Sequence, residues 1–394
     1  MRIIVDCDPG NTVPASDVDD GLALGLALTA PGVTLEAVTV VAGNTPREVG
    51  VAVARDLLSR AGAGDVPVFP GAAVPLAEDP GPWRADLDGR RDTERARKLW
   101  QGVTTTPGVP STPSGSPGRS GRSGTSAASP DVPGTSPDVP AAPGAFGFPA
   151  TTSATGGASL ATAALGATAA ALPDTDAAPV AAAEIVRRVA AAPGEIHLVA
   201  VGPLTNVAHA LQLRPELAQE LASLTIMGGA FAVPGLLQEL NFGYDPEAAH
   251  AVLTSGAPIT LVPYDVTRLT SLTLADLDRL AGHGPLADYL AETTRPWVRW
   301  VAEARRLPGC YLHDPLAVAV LLEPGLATRH RARVDVELRG TLTRARPIAW
   351  DATGQVMRAT GLSLPEIEPI EVLDGVDNDR LVAYLIDTIV RAGR

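Results

Sequence analysis

Residues 1–28, MRIIVDCDPGNTVPASDVDDGLALGLAL, carry the reading on which the fold turns. Ile3, Ile4 and Val5 are a short apolar, partly β-branched run that reads as a buried strand, and residues 22–28 continue as an apolar helical pattern. Between them stand five carboxylates, Asp6, Asp8, Asp17, Asp19 and Asp20. Acids this close repel one another, so the loop calls either for a cation among them or for full solvation. A loop between a first strand and a first helix lies at the carboxyl edge of a parallel sheet, where open α/β folds place their ligands. Asp17 and Asp19 also suit a helix N-cap and first turn, where the backbone dipole favours acids. That role leaves Asp6 and Asp8 unexplained, and a hard, oxygen-liganded cation is the sharper reading for them.

Outward from this stretch, strand and helix alternate. Residues 35–42 read as a second strand, 47–61 as a helix with Val51, Ala54, Leu57 and Leu58 on one face, and 66–69 as a short third strand stopped by Pro70-Gly71. Alternation of this kind predicts right-handed βαβ units and a mostly parallel sheet flanked by helices, an α/β fold of Rossmann-like type. Strands at 196–201, 224–227 and 259–263 and helices at 182–192, 286–307 and 379–390 extend the pattern. Residues 103–179 break it with Pro, Ser, Gly, Thr and Ala, including the near-repeat SPDVPGTSPDVP. So few large apolar side chains cannot offset the entropy of ordering, and the segment reads as a disordered insertion interrupting a single domain that spans 1–394.

With 394 residues at 45% hydrophobic content the chain can bury a large core. A formal net charge of −13 argues against nucleic acid or an anionic membrane as partner. Only Cys7 and Cys310 are present, so no disulfide framework is expected, and with no signal peptide visible a cytoplasmic place is the default. Lys98 is the only lysine.

Six motifs in order then support a family. Asp6-Cys7-Asp8-Pro9-Gly10 with Asp19-Asp20, Gly43-Asn44, Gly202-Pro203-Leu204-Thr205-Asn206, Met227-Gly228-Gly229-Ala230, Glu239-Leu240-Asn241 and His313-Asp314-Pro315 together resemble the inosine-uridine-type nucleoside hydrolases. The resemblance runs over most of residues 1–322 outside 103–179. It implies hydrolysis of the N-glycosidic bond of ribonucleosides, a small-molecule substrate, one bound Ca²⁺ and assembly as a homodimer or homotetramer. Asp8 matches the general base and a metal ligand, Asp20 and Asp314 match further ligands, and Val201 matches the position whose main-chain carbonyl completes the protein's share. Asp19, Asn44, Glu239 and Asn241 match positions that bind the ribose hydroxyls. His313 matches a catalytic position beside the base, and Trp297 lies in the helix that covers the base, where an indole can stack on it.

The chemistry suits these residue types on its own terms. Departure of the base builds positive charge on the ribose, which a carboxylate-rich pocket stabilises. A cation lowers the pKa of a nearby water, and Asp8 can take its proton. The chain also departs from the family. Eight residues, Asn11 to Val18, stand where the family has one, which predicts a loop bulging outward. The family's His-Gly loop is missing, with Trp100-Gln101-Gly102 near its place, and Val233 replaces an asparagine. Two other classes fit parts of the pattern: a catalytically silent nucleoside- or sugar-binding protein that keeps the metal site, and a haloacid-dehalogenase-type phosphatase. The phosphatase would use the first Asp of the DxD as nucleophile and need a lysine, for which only Lys98 is available.

Overall fold

Side-chain alternation along the first strand, β1 (Arg2–Cys7), sends Ile3 and Val5 into one apolar layer and Ile4 into another, so this strand must be covered on both faces. The computed structural model describes residues 1–109, 179–351 and 365–393, all within one compact unit. The expected insertion at 103–179 falls outside the described residues except at its edges. The described chain runs on past Val103: the Thr106 hydroxyl is buried and bonds Asp56 at 3.1 Å and Thr12 at 2.9 Å.

The other strands are β2 (Thr34–Val40), β3 (Val68–Pro70), β4 (Ile196–Ala200), β5 (Ser223–Met227), β6 (Ile259–Val262), β7 (Ala327–Val336), β8 (Pro347–Asp351) and β9 (Ile370–Val376). They form one sheet in the order β3-β2-β1-β4-β5-β6-β9-β7-β8. All neighbours from β3 to β9 run parallel, and only β7 pairs antiparallel, with β9 on one side and β8 on the other. The mostly parallel sheet expected from the alternating pattern is therefore present. The strand order reverses at β1, which pairs with both β2 and β4 and opens the crevice where such folds bind ligands.

The helices in the first half are α1 (Asp19–Thr29), α2 (Arg47–Arg60), α3 (Gly81–Arg91), α4 (Glu94–Leu99), α5 (Val180–Ala191), α6 (Thr205–Leu213) and α7 (Leu217–Glu220). The second half adds α8 (Leu240–Tyr244), α9 (Pro246–Leu253), α10 (Tyr264–Thr267), α11 (Leu274–Leu280), α12 (Pro285–Arg305), α13 (His313–Leu322) and α14 (Asn378–Ala392). One face of the sheet packs on α1, α2 and α11 to α14, the other on α5, α6 and α9. Helix α1 is apolar all round because it is enclosed: Leu22, Ala23, Leu24, Leu26 and Ala27 are fully buried. At 20–30 cal/mol per Å² of apolar surface, each such leucine contributes roughly 1.5–3 kcal/mol. That burial fixes the first turn of α1, with Asp19 and Asp20, against the end of β1.

Candidate active site

Three strand ends and two helix starts converge at the reversal point. β1 delivers Asp8, β4 delivers Val201, β5 delivers Met227, α1 begins at Asp19 and α13 begins at His313. Together they line a cavity of about 510 Å³. Every residue matched to a site position borders it, namely Asp8, Asp19, Asp20, Asn44, Val201, Glu239, Asn241, Trp297, His313 and Asp314, while Asp6, which the cation reading paired with Asp8, does not.

At its floor the carboxylate oxygens of Asp19, Asp20 and Asp314 lie within 4.8 Å of one another, all buried. Backbone groups hold them in place: the Asp8 N–H donates to Asp20 Oδ1 at 3.0 Å, and the Asp314 N–H donates to Asp19 Oδ2 at 3.0 Å. Burial raises all three well above the usual carboxylate range, and their mutual repulsion, with that of Asp8 and Asp17, raises them further. Asp8 is pushed up to about 7, again chiefly by burial; the Asn44 N–H at 2.5 Å and the charge of Arg84 pull it back, while Asp6 and Glu239 push it up. So many acids in a dry site are not stable as anions unless positive charge compensates them. An all-oxygen donor set of this kind fits a hard divalent cation such as Ca²⁺ and does not fit a soft one.

The polar groups expected on the ribose are partly engaged with the protein. The Glu239 carboxylate caps α8, accepting from the N–H of Gly229 at 2.7 Å, Asn241 at 2.8 Å and Phe242 at 3.1 Å. The Asn241 Nδ2 donates to the Val201 carbonyl at 2.8 Å and the Met227 carbonyl at 3.0 Å, leaving Oδ1 as the part of that amide not bonded to protein among the described residues. The Asn44 amide grips the backbone of Asp17 from both sides, with Oδ1 taking its N–H at 3.2 Å and Nδ2 donating to its carbonyl at 3.0 Å. Val201 lines the cavity beside these groups, its carbonyl accepting from Asn241.

Above the carboxylates the wall is aromatic. Tyr264 and His313 stack at 5.2 Å with 26° between their planes, and Tyr311 meets them edge-on at 6.1 and 5.5 Å. Trp297, buried in α12, lies on the same wall under Arg305, whose guanidinium is 5.9 Å from the indole. His313 is lowered to about 4, mainly by burial, so its imidazole is neutral at physiological pH, and Nδ1 shares a 2.6 Å hydrogen bond with the Thr267 hydroxyl.

The loop at residues 11–18 differs from the expected outward bulge. It turns inward: Asn11, Thr12, Val13, Ala15, Ser16 and Val18 are buried, with Thr12 and Ala15 at φ of 71° and 56°. The Asn11 amide donates to Thr293 Oγ1 at 3.1 Å, which ties the loop to α12. Folding inward brings Asp17 to the cavity wall among the other acids, and Val18, not Asp17, is the N-cap of α1, so the helix-capping reading of Asp17 is not met. Sequence reasoning also missed Trp83, Leu87 and Arg90 of α3 and Tyr264 after β6. Tyr264 was findable, since it follows a strand at the carboxyl edge; α3 buries only Leu87 and offers no apolar periodicity to find. Trp100 and Trp300 pack on each other at 6.2 Å, away from the cavity. Asp6, the nucleophile position in a phosphatase, is likewise turned from it, taking the Thr39 hydroxyl at 2.5 Å and the Asn206 amide at 2.7 Å. Lys98 is exposed on α4 and does not reach the cavity.

Similarity to known proteins points the same way as the geometry. Residues 3–383 match the profile described as inosine-uridine preferring nucleoside hydrolase. A protein of Arabidopsis thaliana described as probable uridine nucleosidase 2 is 34% identical over 212 residues, 53% of this chain and 65% of that protein. Probable uridine nucleosidase 1 of Oryza sativa subsp. japonica is 28% identical over 346 residues, covering 87% of this chain and 83% of that one. A solved plant nucleoside hydrolase shares the fold at a TM-score of 0.67 and 25% identity, covering 99% of this chain and 98% of that chain. A match over nearly the whole chain, on a sheet that gathers five of the six motifs at one crevice, leaves a single assignment: the chain belongs to the inosine-uridine preferring nucleoside hydrolase family, a family of enzymes.

Proposed function

We propose that this enzyme hydrolyses the N-glycosidic bond of ribonucleosides to ribose and free base, with Ca²⁺ held by Asp8, Asp20, Asp314 and the Val201 carbonyl. The observation that carries the reading is the pairing of a buried carboxylate floor with an aromatic wall in one cavity. The floor suits a ribose that gains positive charge as the bond breaks, and the wall suits a planar base. Bound Ca²⁺ would supply the positive charge that lets these acids ionise together and makes a nearby water more acidic. Asp8 takes the proton of the attacking water, whose oxygen bonds to C1′ as the electron pair of the C1′–N bond passes to the base. Asp19 and the Asn241 Oδ1 accept from the ribose hydroxyls; Glu239 and Asn44 border the same site and orient its backbone as described above. Trp297 and the Tyr264–His313 stack hold the base. Neutral His313 does not carry an acidic proton, which leaves the Tyr311 hydroxyl or solvent to protonate the departing base.

Relatives described as uridine nucleosidases make uridine the first substrate to try, alongside inosine. Release of reducing sugar should be lost with chelator and restored by Ca²⁺. Asp8→Asn should lower kcat by about 10²- to 10⁴-fold at unchanged melting temperature. Turnover of no ribonucleoside, with binding intact, would instead identify a nucleoside-binding protein. Buried, unpaired Cys7 and Cys310 support a reducing, cytoplasmic place, and gel filtration should return a homodimer or homotetramer.

A further inference from the structure

Stacking holds a nucleobase without distinguishing one base from another, because every base has a π-face. Discrimination needs hydrogen-bonding groups at the base edge, and the aromatic end of the cavity is flanked by two side chains of opposite charge. One is Asp17, brought in by the inward fold of residues 11–18; the other is Arg305, the last residue of α12. Both line the cavity that the Tyr264, Trp297 and His313 rings also line. They therefore share one space with the aromatic wall.

Neither group is neutralised by an ion pair among the described residues. The Arg305 guanidinium lies 5.9 Å from the centre of the Trp297 ring. The Asp17 backbone is clamped by the Asn44 amide, and its Oδ1 takes the N–H of the next residue, Val18, at 2.8 Å. Asp17 stands two residues before Asp19 and lines the cavity with it, which sets it beside the carboxylate floor. A side chain on a fixed backbone, carried to the cavity wall by a buried loop that Asn11 ties to α12, is placed to face a ligand.

We propose that Asp17 and Arg305 form an acceptor and donor pair that reads the nucleobase edge, selecting bases that present an N–H beside a carbonyl, as uracil and hypoxanthine do. Asp17 accepts from the ring N–H and Arg305 donates to the carbonyl oxygen. This rests on the hydrolase reading above.

The test compares wild type, Asp17→Ala, Asp17→Asn and Arg305→Ala on uridine, inosine and p-nitrophenyl β-D-ribofuranoside, whose leaving group has neither a ring N–H nor a carbonyl. Each variant should lose about 10- to 100-fold in kcat/KM on the two nucleosides and change by less than about twofold on the nitrophenyl riboside. Arg305 is exposed, so its removal leaves the fold intact even if Asp17→Ala disturbs the loop, and Asp17→Asn keeps the shape. Equal losses on all three substrates would place the pair at the ribose, and no loss on any would place it outside the site; either overturns the inference alone. Wild-type enzyme that turns over none of the three overturns the hydrolase reading and this inference with it.

Discussion

At Gly43 an added methyl group has nowhere to go: a Cβ there would sit 2.1 Å from Asp8 Oδ2 and 2.6 Å from Pro203 Cδ. The absence of a side chain is what allows the Asn44 N–H to close on Asp8 at 2.5 Å. Gly43→Ala should displace the Asp8 carboxylate and cost about 10²-fold in kcat, since a shift of about 1 Å in a reacting group has that effect, and steady-state kinetics on uridine checks it. His313 makes a second prediction at this scale. With its pKa lowered to about 4 by burial, its ring should show no titration shift between about pH 5.5 and 8 in NMR of histidine-labelled protein, where only six histidines contribute signals. A midpoint near 6.5 would contradict the neutral imidazole. The acids of the site were legible as residues because five of them crowd a short polar stretch between apolar runs. The use of Asn44 was not, because its partner is the backbone of Asp17, and a clamp on a backbone leaves no side-chain signature.

Among elements, the junction of β1 and α1 carries the pH dependence. Burial pushes Asp6 and Asp8 up to about 7, well above the usual carboxylate range, so the folded state holds these protons more tightly than the unfolded chain does. Their stabilising effect is complete below about pH 4 and is lost as pH rises through about 7. Chelator-treated protein should therefore melt higher at pH 5 than at pH 7.5, and Ca²⁺ should raise the melting temperature more at pH 7.5; a chelated protein that is more stable at pH 7.5 would count against it. Strands and long helices were legible to within a few residues because their apolar periods are strong. Helices α3 and α4 were not, since their surfaces are mostly charged and Leu87 alone anchors α3 in the core. The inward course of residues 11–18 was hidden for another reason. It depends on Gly21, where a Cβ would lie 2.2 Å from Asn11 Oδ1, and on Thr293, far away on α12.

For the whole molecule, alternation and strand chemistry carried the topology, and the crevice beside β1 followed from it. The antiparallel end of the sheet was less legible, because β7 buries no residue in its first half, β8 buries only Pro347, and the two hang on β9 through β7. The edge of the low-complexity tract was misjudged by a few residues for a similar reason: Thr104 and Thr106 look like the tract but bond to α12, α2 and the inner loop. The Thr104 N–H and hydroxyl donate to Glu292 at 2.8 and 2.7 Å. A chain lacking 103–178 should consequently melt about 2–6 °C below one lacking only 110–178, as read by calorimetry. The near-total replacement of lysine by arginine has a practical side. Lys98 stands exposed on α4, directly after the helix that borders the cavity mouth, and apart from the Met1 amine it is the sole primary amine of the chain. Once the Met1 amine has been blocked near pH 7, where lysine stays protonated, an amine-reactive fluorophore at pH 8.5 would mark that one helix, giving a single-point optical gauge of whether the mouth closes when nucleoside enters.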